Sequence, residues 1–270
     1  MRFNLPQKLL LAYFLLLIAF WIILLQSGDQ TSFWNYFYSF SFSIIPLIGG
    51  IVGMYFAKPW GMLRSAIGRS TFFISAGLFS WGFGSMIWSY YNFFQKISAP
   101  YPSFADVGFI LSLPFWLVGI TNLSQATGAK FGLKSIGGRI MLIIIPIIVM
   151  VLSYYLLVIV GRGGVLTESS SNYLKLFFDL AYPFGDVIIL TFALVIFGLS
   201  LSFFGGKYRL SIFAIILGFV AMYLADFVFS YTTTTETFYN GNWGDLIFTI
   251  ALFFITFGNL GFYLNPKKDN

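Results

Sequence analysis

Eight apolar stretches run along the chain, at residues 8–27, 33–56, 71–95, 104–127, 139–161, 176–204, 211–232 and 243–264. A helix needs about 20 apolar residues to cross the hydrocarbon of a bilayer, and each stretch is of that order. Short polar gaps separate them. The pattern predicts an all-α fold, a polytopic membrane protein of eight transmembrane helices forming one bundle over residues 1–270, with no soluble domain.

Composition narrows the solvent. The chain is 59% hydrophobic, 21% aromatic and 9% charged, too little polar surface to coat a water-soluble domain of 270 residues, so the lipid bilayer is the first partner. The basic residues then set an orientation. Lys58, Arg64 and Arg69 share one side with Lys130, Lys134 and Arg139, with Lys207 and Arg209, and with the terminal Arg2, Lys8, Lys267 and Lys268. The opposite side keeps Lys96, Arg162 and Lys175. The positive-inside rule places the larger group, and with it both termini, in the cytoplasm of a cell-membrane protein. A net charge of +6 dispersed this way is topogenic, and no nucleic-acid partner is expected.

Several chemistries drop out. Gln26-Ser27-Gly28-Asp29 offers no small-x-small cleavage site, so the first stretch reads as a retained helix rather than a signal peptide. The chain has no cysteine and no histidine, which excludes disulfides, thiolate catalysis, the usual zinc sites and histidine-ligated haem. No cofactor and no enzymatic activity are expected. The gaps on the basic side are short and only Asn265 to Asn270 follow the last stretch, so any output is expected to pass through the bundle or a separate protein on the cytoplasmic side.

The acids are as lopsided as the bases. Asp29, Asp106, Glu168, Asp179, Asp186, Asp226, Glu236 and Asp245 map to outer gaps or outer helix ends, and only Asp269 falls inside, which predicts an anionic outer vestibule. Three of them recur in related settings. Tyr101-Pro102-Ser103-Phe104-Ala105-Asp106 opens the fourth stretch, Tyr182-Pro183-Phe184-Gly185-Asp186 lies near the start of the sixth, and Asn242-Trp243-Gly244-Asp245 opens the eighth. Glycines follow at Gly119, Gly198 and Gly258, and Trp34-Asn35 with Gly49 makes a weaker version in the second. The pattern suggests a helical hairpin repeated four times in one orientation.

Each acid has a structural reading beside the functional one. Ser103-x-x-Asp106 fits a capping box, and Asn242-x-x-Asp245 pairs an N-cap with an acid at N3, where a carboxylate satisfies orphan amides and the helix dipole. Pro102 and Pro183 suit helix starts. Asp226 resists this reading, because it lies near the C-terminal end of the seventh stretch, where the dipole disfavours an anion. A carboxylate there costs about 2.5–3.5 kcal/mol on insertion scales and marks a functional interior, a cation partner such as Lys96, Arg162 or Lys175, or a neutral acid. Asp179 and Asp186 share one helical face only if the helix survives Pro183, and a break there would leave Asp179 on an interfacial segment.

Aromatic residues gather at the same level, among them Trp81, Trp88, Tyr90, Tyr91, Tyr101, Tyr182, Tyr231, Tyr239 and Trp243. An interfacial belt explains most of them. Asp106, Asp186, Asp226 and Asp245 with Tyr101, Tyr182, Trp88 and Trp243 form the candidate ligand set, suited to an organic cation or small molecule. Asp186 and Asp226 are the candidates if the ligand is a metal ion. Gly241-Asn242-Trp243-Gly244-Asp245 departs by one residue from the Gly-x-Gly-Asp of intramembrane aspartyl proteases, and its aspartate is at the wrong end of the helix.

The run Trp81-Gly82-Phe83-Gly84-Ser85-Met86-Ile87-Trp88-Ser89-Tyr90-Tyr91, followed by Pro100 to Asp106, Ala181 to Asp186, Ala225-Asp226-Phe227, Phe238 to Gly241 and Asp245, resembles a multi-helix membrane region of archaeal and bacterial proteins. In that group the region precedes GGDEF/EAL or histidine-kinase output domains. The resemblance spans residues 75–250 and implies a sensory input role. Asn92 stands where an acid is expected after the paired tyrosines, and no output domain is expected after the last stretch. Three functions are weighed: a stand-alone sensory or receptor-like module signalling through a partner, a proton- or cation-coupled transporter, and a membrane scaffold. The sensor leads, because the acids cluster outside and no pair of broken helices appears at mid-depth.

Overall fold

A computed structural model of the chain describes residues 3–127, 129–165, 172–200 and 208–263. Arg2, Glu168, Lys207, Lys267, Lys268 and Asp269, together with residues 201–204 and 264 of two apolar stretches, lie outside the described residues. The described chain is all-helical: α1 (Leu5–Ser27), α2 (Phe33–Phe56), α3 (Ala66–Tyr90), α4 (Phe104–Ala126), a short α5 (Ala129–Gly132), α6 (Ile136–Ser153), α7 (Tyr173–Ser200), α8 (Arg209–Thr234) and α9 (Trp243–Leu260). Two extend by wider π turns, α3 through Tyr91–Gln95 and α6 through Tyr154–Val160. All but α5 are long and apolar enough to cross a membrane, as a multi-pass membrane protein requires.

Local chemistry fixes the ends. The first helix begins three residues before its apolar stretch because Asn4 caps it: Asn4 Oδ1 accepts from the Gln7 amide at 2.9 Å, Gln7 Oε1 accepts from the Asn4 amide at 3.2 Å, and Pro6 sits in the first turn. It ends at Gly28, whose φ of 67° is the left-handed conformation that glycine adopts without a Cβ penalty. Ser65 and Ser135 cap α3 and α6 ahead of the apolar residues that first reveal those helices.

Consecutive long helices run in opposite directions. Asn4 Nδ2 donates to the Leu260 carbonyl at 2.7 Å, and Trp21 Nε1 donates to the Gly241 carbonyl at 3.0 Å, so α1 lies antiparallel along α9. Arg69 at the start of α3 meets Asn122 near the end of α4 at 2.6 Å. One end of the bundle therefore carries Lys58, Arg64, Arg69, Lys134, Arg139 and Arg209. The other gathers Asp29, Asp106, Asp179, Asp186, Asp226, Glu236 and Asp245.

The core is centred on α9, which packs against α1, α2, α3 and α8. Polar side chains tie these contacts together: Tyr38 to Thr249 at 2.9 Å, Asn259 Nδ2 to Ser75 Oγ at 2.7 Å, and Gln7 Nε2 to the Phe257 carbonyl at 3.0 Å. By contrast α1 and α6 are the least buried, with Leu15, Leu16 and Ile23 on one and Ile143, Ile147 and Met150 on the other exposed. Apolar surface of this kind suits contact with lipid chains. At the acidic end α7 packs between α4, α6 and α8, and this arrangement builds the site described next.

Candidate functional site: a carboxyl pair between two helices

The α7 helix passes through Pro183 without a break, contrary to the interruption expected from the sequence. A proline removes the hydrogen bond to the carbonyl four residues earlier, here that of Asp179. Arg162 Nη1 donates to that carbonyl at 2.8 Å and so satisfies the group the proline frees. Pro183 is thus an interior residue rather than a helix start, and Asp179, Tyr182 and Asp186 rise along one face of a continuous helix.

Each of these three meets a neighbour. The Tyr101 hydroxyl donates to Asp179 Oδ1 at 2.8 Å, and the Tyr182 hydroxyl donates to Asp106 Oδ1 at 2.8 Å. Asp106 also closes the capping box of α4, its Oδ2 accepting from the Ser103 amide at 2.6 Å and the Ser103 hydroxyl at 3.1 Å. One carboxylate thus both caps α4 and docks α7. Partial burial first, and then the Asp179 carboxylate, push the Tyr101 phenol well above its ordinary range, so it stays a donor at any physiological pH.

One turn deeper, Asp186 faces Asp226 of α8 within hydrogen-bonding reach. Two ionised carboxylates offer only acceptors, so a hydrogen bond between them requires a shared proton, and without one a cation must hold them together. Asp186 is buried, and the Arg162 guanidinium lies close enough to act on its charge while its Nε reaches Ser230 Oγ of α8 at 3.4 Å. Beneath the pair is a cavity of about 10 Å³ lined by Leu113, Trp116, Asp186, Ile189, Phe219 and Tyr223 among others. That is about the space one water requires. An organic cation does not fit there in this conformation, whereas a proton, a water or a bare ion does.

The remaining candidates lie apart from the pair. Asp245 accepts from the Gly241 amide at 2.6 Å and from Ser39 Oγ of α2 at 3.3 Å, while Asn242 caps its helix through the Asp245 amide at 3.1 Å. Trp243 is exposed and meets Trp21 edge to face at 4.5 Å. Trp88 donates to Asn240 Oδ1 at 3.3 Å and packs against Phe229 and Phe238. The structure therefore brings together Tyr101, Asp106, Tyr182, Asp186 and Asp226, and sets Trp88, Trp243 and Asp245 elsewhere. It adds Asp179 and Arg162; the four-residue spacing of Asp179 and Pro183 marks the freed carbonyl, but no local pattern marks Arg162 as its partner. Among the described residues no group of three or more acidic, histidine or cysteine side chains is placed to hold a metal ion, so a metal at Asp186 and Asp226 would take its other ligands from hydroxyls, carbonyls or water.

A cluster of this kind can exchange a proton or small cation and couple that event to the spacing of α7 and α8. Comparison of the chain with protein-family models, with curated proteins and with solved structures gave no match, so its function rests on the chemistry of these residues.

Proposed function

We propose that the chain is a membrane-embedded sensory module whose stimulus is a proton or small cation taken up between Asp186 and Asp226. In this reading both termini are cytoplasmic, the acidic end faces outward, and the change in α7 and α8 packing is passed to a separate signalling protein at the basic end. The observation that carries it is the pair itself: two carboxyl groups facing each other between helices, with a cationic side chain alongside and room beneath for one water. Acids in a membrane interior are expensive and by default functional. The resemblance of the motif series to sensory input regions points the same way.

A second reading, coupled transport, is favoured by one observation. Thr71, Ser75, Thr256 and Asn259 make a buried polar seam in the basic half, and such a seam could extend an ion path. Uptake of protons or cations into proteoliposomes distinguishes the two readings, since a sensor produces no net flux.

The experiment for the sensory reading is thermal unfolding of the detergent-purified protein over pH and with magnesium, calcium, spermidine or tetramethylammonium. A ligand that binds only the folded state stabilises it by mass action, about 2.7 kcal/mol at a hundredfold excess over Kd. Acid or a small cation should raise the midpoint, tetramethylammonium should not, and both Asp186→Asn and Asp226→Asn should abolish the rise while leaving a folded protein. An unchanged rise in both variants sinks the assignment.

A further inference from the structure

The polar contacts around the carboxyl pair have counterparts on the other side of the bundle. Shifting α2 onto α7 so that Ser39 falls on Tyr182 also puts Ser43 on Asp186. One shift for α3 onto α8 carries Ile74 to Ile215, Ser85 to Asp226 and Trp88 to Phe229. One for α4 onto α9 carries Ser103 to Asn242, Asp106 to Asp245 and Gly119 to Gly258.

The contacts follow the same shifts. Tyr182 donates to Asp106 from α7 to α4, and Ser39 donates to Asp245 from α2 to α9. Asp186 meets Asp226 between α7 and α8, and Ser43 bonds Ser85 between α2 and α3. A Cβ on Gly119 would lie 2.9 Å from the Ile74 amide nitrogen, and one on Gly258 would lie 2.9 Å from that of Ile215. Trp88 and Phe229, which the α3 shift exchanges, touch each other edge to face with ring centroids 6.1 Å apart. Small residues and caps recur by chance in apolar helices. Three kinds of contact obeying one shift per helix, with the related aromatic pair meeting at the seam, do not reduce to that.

We infer that α2–α4 and α7–α9 are two copies of one three-helix unit, and that the protein holds a duplicated site: a charged copy at Asp186 and Asp226, and a neutral copy at Ser43 and Ser85. Within the sensory reading, on which this inference rests, the charged copy takes the proton or small cation and the neutral copy is a packing contact. The consequence is specific. Ser43 and Ser85 close the same helix contact with two hydroxyls, so the fold does not need carboxyls at that position, and Asp186 and Asp226 serve the ligand.

The test is the double variant Asp186→Ser/Asp226→Ser, which writes the neutral copy into the charged one, compared with Asp186→Asn/Asp226→Asn and the parent by gel filtration and by thermal unfolding with acid and magnesium. The expected result is a monodisperse protein with a midpoint at least equal to that of the parent and a complete loss of the response. If the serine variant aggregates or melts earlier while the asparagine variant does not, the two positions are not equivalent and the duplication is overturned. If both variants fail to fold, the carboxyls are structural and the inference is likewise overturned. A well-folded serine variant that keeps the full response leaves the equivalence standing and overturns the sensory reading of the pair.

Discussion

Replacing Arg162 with methionine is expected to destabilise the protein by about 2–4 kcal/mol, seen as a drop of several degrees in the thermal midpoint. The substitution removes the donor to the Asp179 carbonyl that Pro183 leaves without its helical partner, removes the contact to Ser230, and strips the cation from beside Asp186. A buried carbonyl left unpaired costs about 1–3 kcal/mol, and the lost Coulombic support of Asp186 by the half-buried Arg162 adds to it. Adding Asp186→Asn to the methionine variant should recover about 1 kcal/mol or more, because part of the damage is a carboxylate left without its cation. Strict additivity of the two substitutions in a double-mutant cycle would show that Arg162 acts only through the carbonyl.

The second large effect is expected where two backbones touch. A Cβ on Gly108 of α4 would lie 2.6 Å from Gly84 Cα and 2.8 Å from the Ser80 carbonyl oxygen of α3, while Ser80 Oγ donates to the Gly108 carbonyl at 2.9 Å. Nothing in that contact can rotate away. Gly108→Leu must therefore push α3 and α4 apart, at a cost of about 3 kcal/mol or more, and Asp106, half a turn earlier, loses its register with Tyr182. Gly137→Leu is the control: a Cβ there meets no atom within 4 Å, so its stability should stay within about 0.5 kcal/mol of the parent's. Equal midpoints for the two variants would mean that α3 and α4 are not this close.

Much of this architecture is legible in the residues. The apolar stretches locate every long helix, because a chain with so few charges has few places to leave the hydrocarbon, and Ser103 with Asp106 announces the cap that the structure contains. Pro183 misleads, since the residue that repairs the helix around it, Arg162, is brought in by tertiary packing and no local pattern reveals it. The serine contacts fail to show for a related reason. Ser39, Ser43 and Ser85 are common residues in apolar helices, and only their partners across α2, α3 and α9 give them meaning. Asp245 repeats the motif of Asp106, and only the structure shows that its partners are Gly241 and Ser39 where Asp106 meets Ser103 and Tyr182. Trp243 shares the outer level of the acids in the sequence, and its exposed side chain lies against Trp21.

A proton shared by Asp186 and Asp226, as the proposed function requires, would be observed directly by infrared difference spectroscopy in the carboxylic-acid stretching region. The parent protein should show a protonated carboxyl band that shifts on exchange into heavy water, disappears when magnesium or alkaline pH removes the proton, and is missing from Asp186→Asn/Asp226→Asn. A band that survives unchanged in the double variant, or a parent spectrum indifferent to both magnesium and pH, would contradict the claim that this pair is where the protein meets its stimulus.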